Sequence, residues 1–166
     1  MQMNPPPITL ALIPDGVDST RQTLRLMREY VRRGKKTPAV RQTALDLTNG
    51  MRQKDFIGEV KKLHAYVRDH IRYIRDIRNV ETLHPPEVIL ELEQGDCDDK
   101  SILLASLLES IGHPTRFAAV AFRPGRYSHV YVETLIGNKW VPLETTEPVE
   151  IGWRPPNVRH ALLIHN

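Results

Sequence analysis

The sequence predicts an α+β protein whose helices precede its strands along the chain. Up to Gly112, apolar residues recur at the spacing of amphipathic helices, and beyond it they alternate with polar residues as in strands. The most apolar helical stretch, residues 97–111, is expected to be packed on most sides. With 166 residues, the chain is long enough for one domain with a sizeable core.

Composition places the chain among soluble proteins of a reducing compartment. Hydrophobic residues make up 40% and charged residues 26% of the chain, and no apolar run is long enough to span a bilayer. Residues 1–7 lack the charged and apolar regions of a signal peptide. Because a single cysteine cannot form an intrachain disulfide, we expect a cytoplasmic protein. The lack of a long apolar run predicts that it does not bind a membrane.

Charge is unevenly distributed, although the net charge of +3 is too small to indicate a nucleic-acid partner. Residues 21–36 are rich in Arg and Lys with a single Glu, whereas residues 87–109 are rich in Asp and Glu with a single Lys. The simplest interpretation is a solvated basic helix face. The alternative is a protein partner that binds an N-terminal arm and the basic helix over residues 19–36.

The N-terminal arm is expected to comprise residues 1–17. Three consecutive prolines favour an extended polyproline conformation, residues 8–13 are apolar enough for a strand, and Pro14-Asp15-Gly16 indicates a turn.

Four helices are predicted between this arm and residue 95. Asp18 or Ser19 is the candidate cap of the first helix, and Gly34 ends it. The helices are placed at residues 19–33, from Pro38 to about Asn49, from about Asp55 towards Tyr73, and from Pro85 through Leu92. The apolar faces expected in the core are Leu24, Met27, Tyr30 and Val31, then Val40, Ala44, Leu45 and Leu47, then Phe56, Val60, Leu63, Val67 and Ile71.

The next helix begins at the only cysteine of the chain. In Gly95-Asp96-Cys97-Asp98-Asp99-Lys100, Asp96 is the candidate N-cap, and the later aspartates lie where a helix dipole favours negative charge. Gly112 and Pro114 end this helix. Its apolar stripe consists of Leu103, Leu104, Leu107, Leu108 and Ile111.

Strands are predicted at residues 117–122, 128–134 and 139–144, with a short fourth one at residues 161–164. Gly137-Asn138 is read as a two-residue hairpin turn, which pairs Ile136 with Lys139 and makes the numbers of paired residues sum to 275. Pro142 indicates that the return strand is an edge strand or contains a bulge.

Cys97 is a candidate nucleophile because it lies in the first turn of a helix. The helix end stabilises a thiolate and lowers the pKa of the thiol, and the thiolate is the reactive form. The carboxylates of Asp96, Asp98 and Asp99 raise the pKa of the thiol unless they point away. The alternative is a small buried hydrophobic residue, which is the commoner role of a free cysteine.

His129 is the candidate base for this thiol, and Glu144 is the candidate acid that orients it. The predicted register sets Glu144 opposite Tyr131, which makes Glu144 a diagonal neighbour of His129 on the same face. A carboxylate there can accept the imidazole N–H and stabilise the imidazolium. The alternative is that His129, Tyr131 and Glu144 are only the polar face of a half-exposed hairpin.

Five segments, in this order, resemble the transglutaminase-like superfamily. They are His70-Ile71-Arg72-Tyr73, Pro85-Pro86-Glu87, Gly95-Asp96-Cys97-Asp98-Asp99-Lys100, Ser128-His129-Val130-Tyr131-Val132-Glu133 and Trp140-Val141-Pro142-Leu143-Glu144. The resemblance spans roughly residues 38–147. It implies a papain-like fold, with the cysteine-bearing helix packed on an antiparallel sheet, and a catalytic triad of Cys97, His129 and Glu144. The family usually has Asp in the third position, whereas this chain has Glu.

The activity that the resemblance implies is acyl transfer at an amide bond of a peptide or protein. The Cys97 thiolate attacks the carbonyl, His129 protonates the leaving amine, and water or a second amine resolves the thioester. The backbone N–H of Cys97 is a candidate oxyanion donor, and the side chain of Gln94 is a second one. No cofactor or metal is expected, since the histidines lack metal-ligand spacing.

Hydrolysis by a peptidase or amidase is expected over cross-linking, because no stretch of the chain predicts a second domain that would organise a protein acceptor. We divide the chain into an arm at residues 1–17, a transglutaminase-like domain at 18–147 and a C-terminal tail at 148–166. The competing hypothesis is a non-catalytic structural or adaptor protein. The basic helix with this core is similar to small transglutaminase-like proteins of tailed bacteriophages, which implies a virion or assembly component.

Overall fold

The computed structural model describes residues 8–11, 16–76 and 80–166, so the predicted polyproline stretch lies outside the described residues. Its helices are α1 (Val17–Gly34), α2 (Pro38–Thr48), α3 (Phe56–His70), α4 (Pro86–Leu92) and α5 (Cys97–Ser110). Its strands are β1 (Ile8–Ala11), β2 (Arg72–Tyr73), β3 (Val80–Leu83), β4 (Gln94–Gly95), β5 (Thr115–Arg123), β6 (Arg126–Ile136), β7 (Lys139–Leu143) and β8 (His160–His165). The predicted α+β class is confirmed.

The main sheet has four antiparallel strands in the order β7-β6-β5-β8. In the β6–β7 hairpin, Ile136 pairs with Lys139 and Val132 pairs with Leu143, so the predicted register is confirmed. β7 is an edge strand, as Pro142 indicates, because an edge tolerates the missing N–H. The strand expected at residues 161–164 is β8, which forms the other edge by pairing with β5.

α5 lies at the centre of the molecule, as its apolar sequence predicts. Residues 98–108 are all buried. The helix packs against α1, α2, α3 and α4 on one side and against β5 and β6 on the other. The Asp96 carboxylate caps its start by accepting the Asp99 N–H at 3.0 Å, and Gly112 ends it with a φ of +97°.

The predicted helix faces are correct except at two positions. In α1 and α3, the predicted stripes are buried beyond their first turns, whereas Phe56 is 55% exposed and Leu45 is 46% exposed. Phe56 is the first residue of α3, and its ring packs edge to face with the ring of His113, with 6.0 Å between the two centroids. Leu45 follows the buried Ala44, and one residue rotates it about 100° away from the core.

α1 begins earlier than the sequence predicts, and neither Asp18 nor Ser19 caps it. The N-cap is Gly16, and no side chain accepts a hydrogen bond there. The hydroxyls of Ser19 and Thr20 instead donate backwards to the Gly16 carbonyl oxygen, at 3.0 and 2.9 Å. These residues therefore lie inside the first turn, as Ser and Thr side chains with local backbone bonds can.

The basic residues of α1 mostly face solvent, which agrees with a solvated helix face. An ion pair between Lys35 Nζ and Glu109 Oε2, at 3.2 Å, joins the basic and acidic segments. The exposed basic residues are Arg21, Arg25, Arg32 and Arg33 of α1 and Lys36 just after it. Among the described residues, no helix has both the length and the apolarity to cross a membrane.

Candidate active site

Cys97, the first residue of α5, lines a cavity of about 490 Å³. His129 and Val130 of β6 line the same cavity, so the structure brings the candidate nucleophile and the candidate base together. The N-terminal half of α1 forms another wall, with residues that include Thr20 and Leu24. The sequence does not predict that α1 lines this cavity, because its apolar periodicity does not show which other element each part of its surface contacts.

The surroundings of Cys97 favour a neutral thiol. Burial raises the pKa of Cys97 well above its ordinary value, and the charges of Asp98 and Asp96 raise it further. The thiol donates to Asp98 Oδ1, with 3.6 Å between the two atoms. The Val130 N–H, which donates to Sγ, lowers the pKa. Burial and the two aspartates thus oppose the lowering of the pKa that is expected from the helix end.

Asp99 is the one aspartate of this run that points away from the thiol. Its carboxylate accepts the backbone N–H of His84 at 2.9 Å and lies 2.8 Å from His84 Nδ1. Burial raises the pKa of Asp99, while the contacts with His84 lower it. Asp99 therefore anchors the segment before α4 to the start of α5.

His129 and Glu144 are joined by a hydrogen bond of 2.5 Å between Nε2 and Oε2. The His129 side chain is 17% exposed and that of Glu144 is 1% exposed, so the contact lies at the wall of the cavity with its acid inside the protein. Glu144 directly follows the last residue of β7. The predicted neighbour relation between the two side chains is confirmed by this contact.

The other carboxylate oxygen of Glu144 is also engaged. Oε1 accepts the backbone N–H and the hydroxyl of Thr146, both at 2.8 Å. Burial raises the pKa of Glu144, but the bonds and charge from His129 and the two donors of Thr146 outweigh it, and the net pKa lies below its usual value. Glu144 is thus an anion whose two carboxylate oxygens are both held by hydrogen bonds.

The hairpin face that carries His129 is not half-exposed, so that alternative is wrong. Tyr131, Glu133 and Glu144 are all 4% exposed or less. Glu133 Oε1 accepts from Arg154 at 2.6 Å, and its Oε2 accepts from Arg116 Nε at 2.7 Å. The segment after β7 therefore folds back over this face and covers it.

Two buried polar residues near the site were missed by the sequence analysis. His64 of α3 places Nε2 2.5 Å from the main-chain carbonyl oxygen of Glu144. Lys100 of α5 places Nζ 2.7 Å and 3.3 Å from the carbonyl oxygens of Ile71 and Arg68. Both lie at core-facing helical spacings, His64 next to Leu63 and Lys100 one turn after Cys97. A polar residue on an apolar face was the available signal.

Gln94 is not brought to the cavity that Cys97 lines. It lies in β4, which pairs in parallel with β2, and its Oε1 accepts from Arg72 Nη2 at 2.9 Å.

Comparisons with known proteins agree with this architecture. The family model described as the transglutaminase-like superfamily matches residues 41–145. No curated protein matches the chain. A "putative protease" from Parabacteroides distasonis is similar in structure, with a TM-score of 0.54 and 13% identity over 75% of this chain and 26% of that chain.

Two further solved structures are similar. A "putative cysteine protease" from Cytophaga hutchinsonii has a TM-score of 0.56 and 16% identity, over 84% of this chain and 51% of that chain. EGTA-treated LapG from Legionella pneumophila has a TM-score of 0.54 and 14% identity, over 80% of this chain and 77% of that chain. The chain spans about a quarter and about half of the first two proteins, and at these identities the likeness shows the fold alone. Because the family model matches more than half of the length of this chain, the chain belongs to the transglutaminase-like superfamily.

Proposed function

We propose that the protein is a cysteine peptidase or amidase whose catalytic triad is Cys97, His129 and Glu144. The observation that carries the proposal is the 2.5 Å contact of His129 with the buried Glu144, at a cavity that Cys97 and His129 both line. A nucleophile, a base and an orienting acid in this arrangement are the parts that acyl transfer needs.

The first half of the reaction forms a thioester. His129 takes the thiol proton at Nδ1, since its Nε2 is engaged by Glu144, and Cys97 Sγ attacks the carbonyl carbon of the amide. The backbone N–H of Cys97, at the start of α5, is the proposed donor to the oxyanion. When the C–N bond breaks, the imidazolium of His129 gives its proton to the leaving amine.

The second half of the reaction releases the acid. Water gives a proton to His129 and attacks the thioester carbonyl, the C–S bond breaks to give a carboxylic acid, and the imidazolium returns its proton to Sγ to restore the thiol. Throughout the cycle the anionic Glu144 keeps the imidazole in one orientation and stabilises its cation.

The neutral thiol of the resting site decides how His129 acts. With a pKa above the ordinary value for Cys97, a preformed thiolate–imidazolium pair is not the resting form. His129 therefore acts as a general base while the thiol attacks, and proton transfer accompanies bond formation.

Hydrolysis is proposed over cross-linking of proteins. The names of the proteins from Parabacteroides distasonis and Cytophaga hutchinsonii include the word protease, which supports a peptide or protein amide as substrate. The adaptor hypothesis, with a partner on the N-terminal arm and the basic helix, stays a prediction, as do phage origin and the division into arm, domain and tail.

The test measures new amino termini by mass spectrometry after the protein is incubated with an unfolded protein mixture and a labelled primary amine. Wild type should generate new termini with little amine incorporation. Cys97→Ala should abolish cleavage, and Glu144→Gln should lower its rate by about 10²-fold or more, since the imidazole loses its orienting anion. Glu147→Gln, at an exposed carboxylate nearby, is the matched control and should leave the rate unchanged.

Cleavage that persists in Cys97→Ala would exclude this cysteine as the nucleophile. Amine incorporation that exceeds cleavage would make the protein a cross-linking enzyme. Wild type that does neither, and whose Cys97 is not labelled by an amide-like electrophile, would favour the adaptor hypothesis.

A further inference from the structure

We propose that His64 is a positioning residue, which fixes the main chain at Glu144 and thereby the orientation of His129. The consequence for catalysis rests on the proposed function, whereas the positioning itself does not. His64 lies on α3, which comes before the nucleophile in the chain, and its partner lies 80 residues later.

The direction of the hydrogen bond follows from the chemistry of the two atoms. The carbonyl oxygen of Glu144 can only accept, so Nε2 of His64 must carry the proton and donate it, over 2.5 Å. His64 is 1% exposed, so water does not compete for this bond. Burial lowers the pKa of His64, so the ring is neutral, and with the proton on Nε2 its Nδ1 is unprotonated.

Nδ1 of His64 is buried and has no hydrogen-bond partner among the described residues. An unsatisfied buried nitrogen destabilises the fold, and an apolar side chain of similar size would avoid that loss. Core packing therefore does not account for a histidine here. The hydrogen bond from Nε2 to the carbonyl oxygen of Glu144 accounts for a histidine at this position.

The main chain at Glu144 needs such a partner because the sheet stops just before it. The ladder between β6 and β7 ends at the pair of Val132 and Leu143. Beyond that pair, the backbone of Glu144 is outside the sheet, and its carboxylate reaches back to His129. A rotation of Glu144 would move both of its carboxylate oxygens. The hydrogen bond from His64 restrains the main chain here, where no further strand pairing does.

α3 is a rigid support for this bond. Val60, Leu63 and Val67, which flank His64 on the same face, are all fully buried. Glu144 is thus held at three points: its carbonyl oxygen by His64, one carboxylate oxygen by Thr146 and the other by His129. Thr146 belongs to the same short segment as Glu144, so among the hydrogen bonds of Glu144 with described residues, the one from His64 connects the acid to a helix.

The experiment follows the proton on Nε2 of His129 by NMR in protein labelled with ¹⁵N-histidine. In wild type this proton should resonate far downfield and exchange slowly with water, since it lies in a short bond to a buried carboxylate. His64→Leu should move the resonance upfield and speed its exchange by about tenfold or more, because a misplaced acid weakens the bond. His64→Gln should restore both, since a glutamine amide can donate from nearly the position of Nε2.

A matched control separates positioning from general destabilisation. His113 is another buried histidine, and its Nε2 lies 2.7 Å from Glu59 on the same helix α3. His113→Leu should leave the His129 resonance unchanged. If His64→Leu does not fold, His64→Asn replaces it, because its shorter amide keeps the polarity but does not reach the carbonyl oxygen.

The proposal is overturned if the resonance and the exchange rate of the His129 Nε2 proton are the same in His64→Leu as in wild type. It is also overturned if His113→Leu changes them as much as His64→Leu does. These readouts need no turnover, so they decide the positioning even if the protein proves not to be a peptidase. If it is one, His64→Leu should lower kcat by about tenfold with little change in KM, and His64→Gln should recover it.

Discussion

At the scale of single residues, the thiol of Cys97 is the main departure from what a helix end alone implies. The N-terminal position favours a thiolate, and the Val130 N–H supports it. Burial and the aspartates prevail, so the pKa of Cys97 lies well above its ordinary value. Since susceptibility to oxidation follows thiolate character, the resting site is also protected from adventitious oxidation.

Asp98→Asn is expected to make Cys97 more reactive. The substitution removes a negative charge 3.6 Å from Sγ, which should lower the pKa of the thiol and raise the rate of iodoacetamide alkylation at pH 7 severalfold. The measurement is the alkylation rate against pH. Glu91→Gln, which removes an exposed charge on α4, is the control. An unchanged profile in Asp98→Asn would show that the charge of Asp98 does not contribute to the pKa of Cys97.

At the scale of elements, Lys100 joins the start of α5 to the end of α3. Its Nζ binds carbonyl oxygens of Arg68 and Ile71, where a helix C-terminus favours a cation. Burial lowers the pKa of Lys100 to about 8, although the charges of Glu144 and Asp69 raise it. The helix that begins at Cys97 and the helix that carries His64 are therefore held together by a buried cation.

The lowered pKa of Lys100 predicts how the stability of the protein depends on pH. Between pH 8 and the ordinary value of 10.5, the unfolded chain binds more protons than the folded one, so the stability of the folded state rises with pH. The free energy of unfolding of wild type should therefore rise relative to Lys100→Met by up to about 3 kcal/mol over this range. Both proteins share their other titrating groups, which cancel in the difference.

Urea unfolding of wild type and Lys100→Met at several pH values from 7.5 to 10.5 measures this difference. Lys36→Met, at an exposed lysine just after α1, should run parallel to wild type. Parallel curves for Lys100→Met as well would mean that Lys100 titrates at its ordinary pKa in the folded protein.

At the scale of the whole molecule, the core extends beyond residues 41–145, which the family model matches. Leu24, Met27 and Val31 of α1 belong to the main hydrophobic cluster and are almost fully buried. β8 closes the sheet on the far side of β5. α1, which precedes the matched segment, thus packs on the helix that carries Cys97, and β8, which follows the matched segment, pairs with β5.

A fragment limited to residues 41–145 is therefore expected not to fold cooperatively. Without α1 and β8, the apolar surfaces of α5 and β5 would be open to water. Thermal unfolding followed by circular dichroism and the binding of a hydrophobic dye measure this outcome. Residues 16–166, as the matched longer fragment, should unfold in one sharp transition. A sharp transition in the short fragment would show that the matched segment is a sufficient core.

Features set by neighbouring residues could be predicted from the sequence, and those set by distant contacts could not. The Asp96 cap and the two-residue turn depend on residues a few positions apart, and both are confirmed. The burial of Glu133 depends on Arg154, and the role of His64 depends on a carbonyl 80 residues away. Periodicity marks which face of an element is apolar, but it does not show what covers the other face.

The contribution of α1 to the cavity wall has an evolutionary consequence. Thr20 and Leu24 line the space in front of Cys97, yet they precede the segment that identifies the family. Under the proposed function, two chains with identical residues 41–145 but different leading helices would share a reaction and differ in the substrates that fit. Substrate preference could then diverge without any substitution at Cys97, His129 or Glu144.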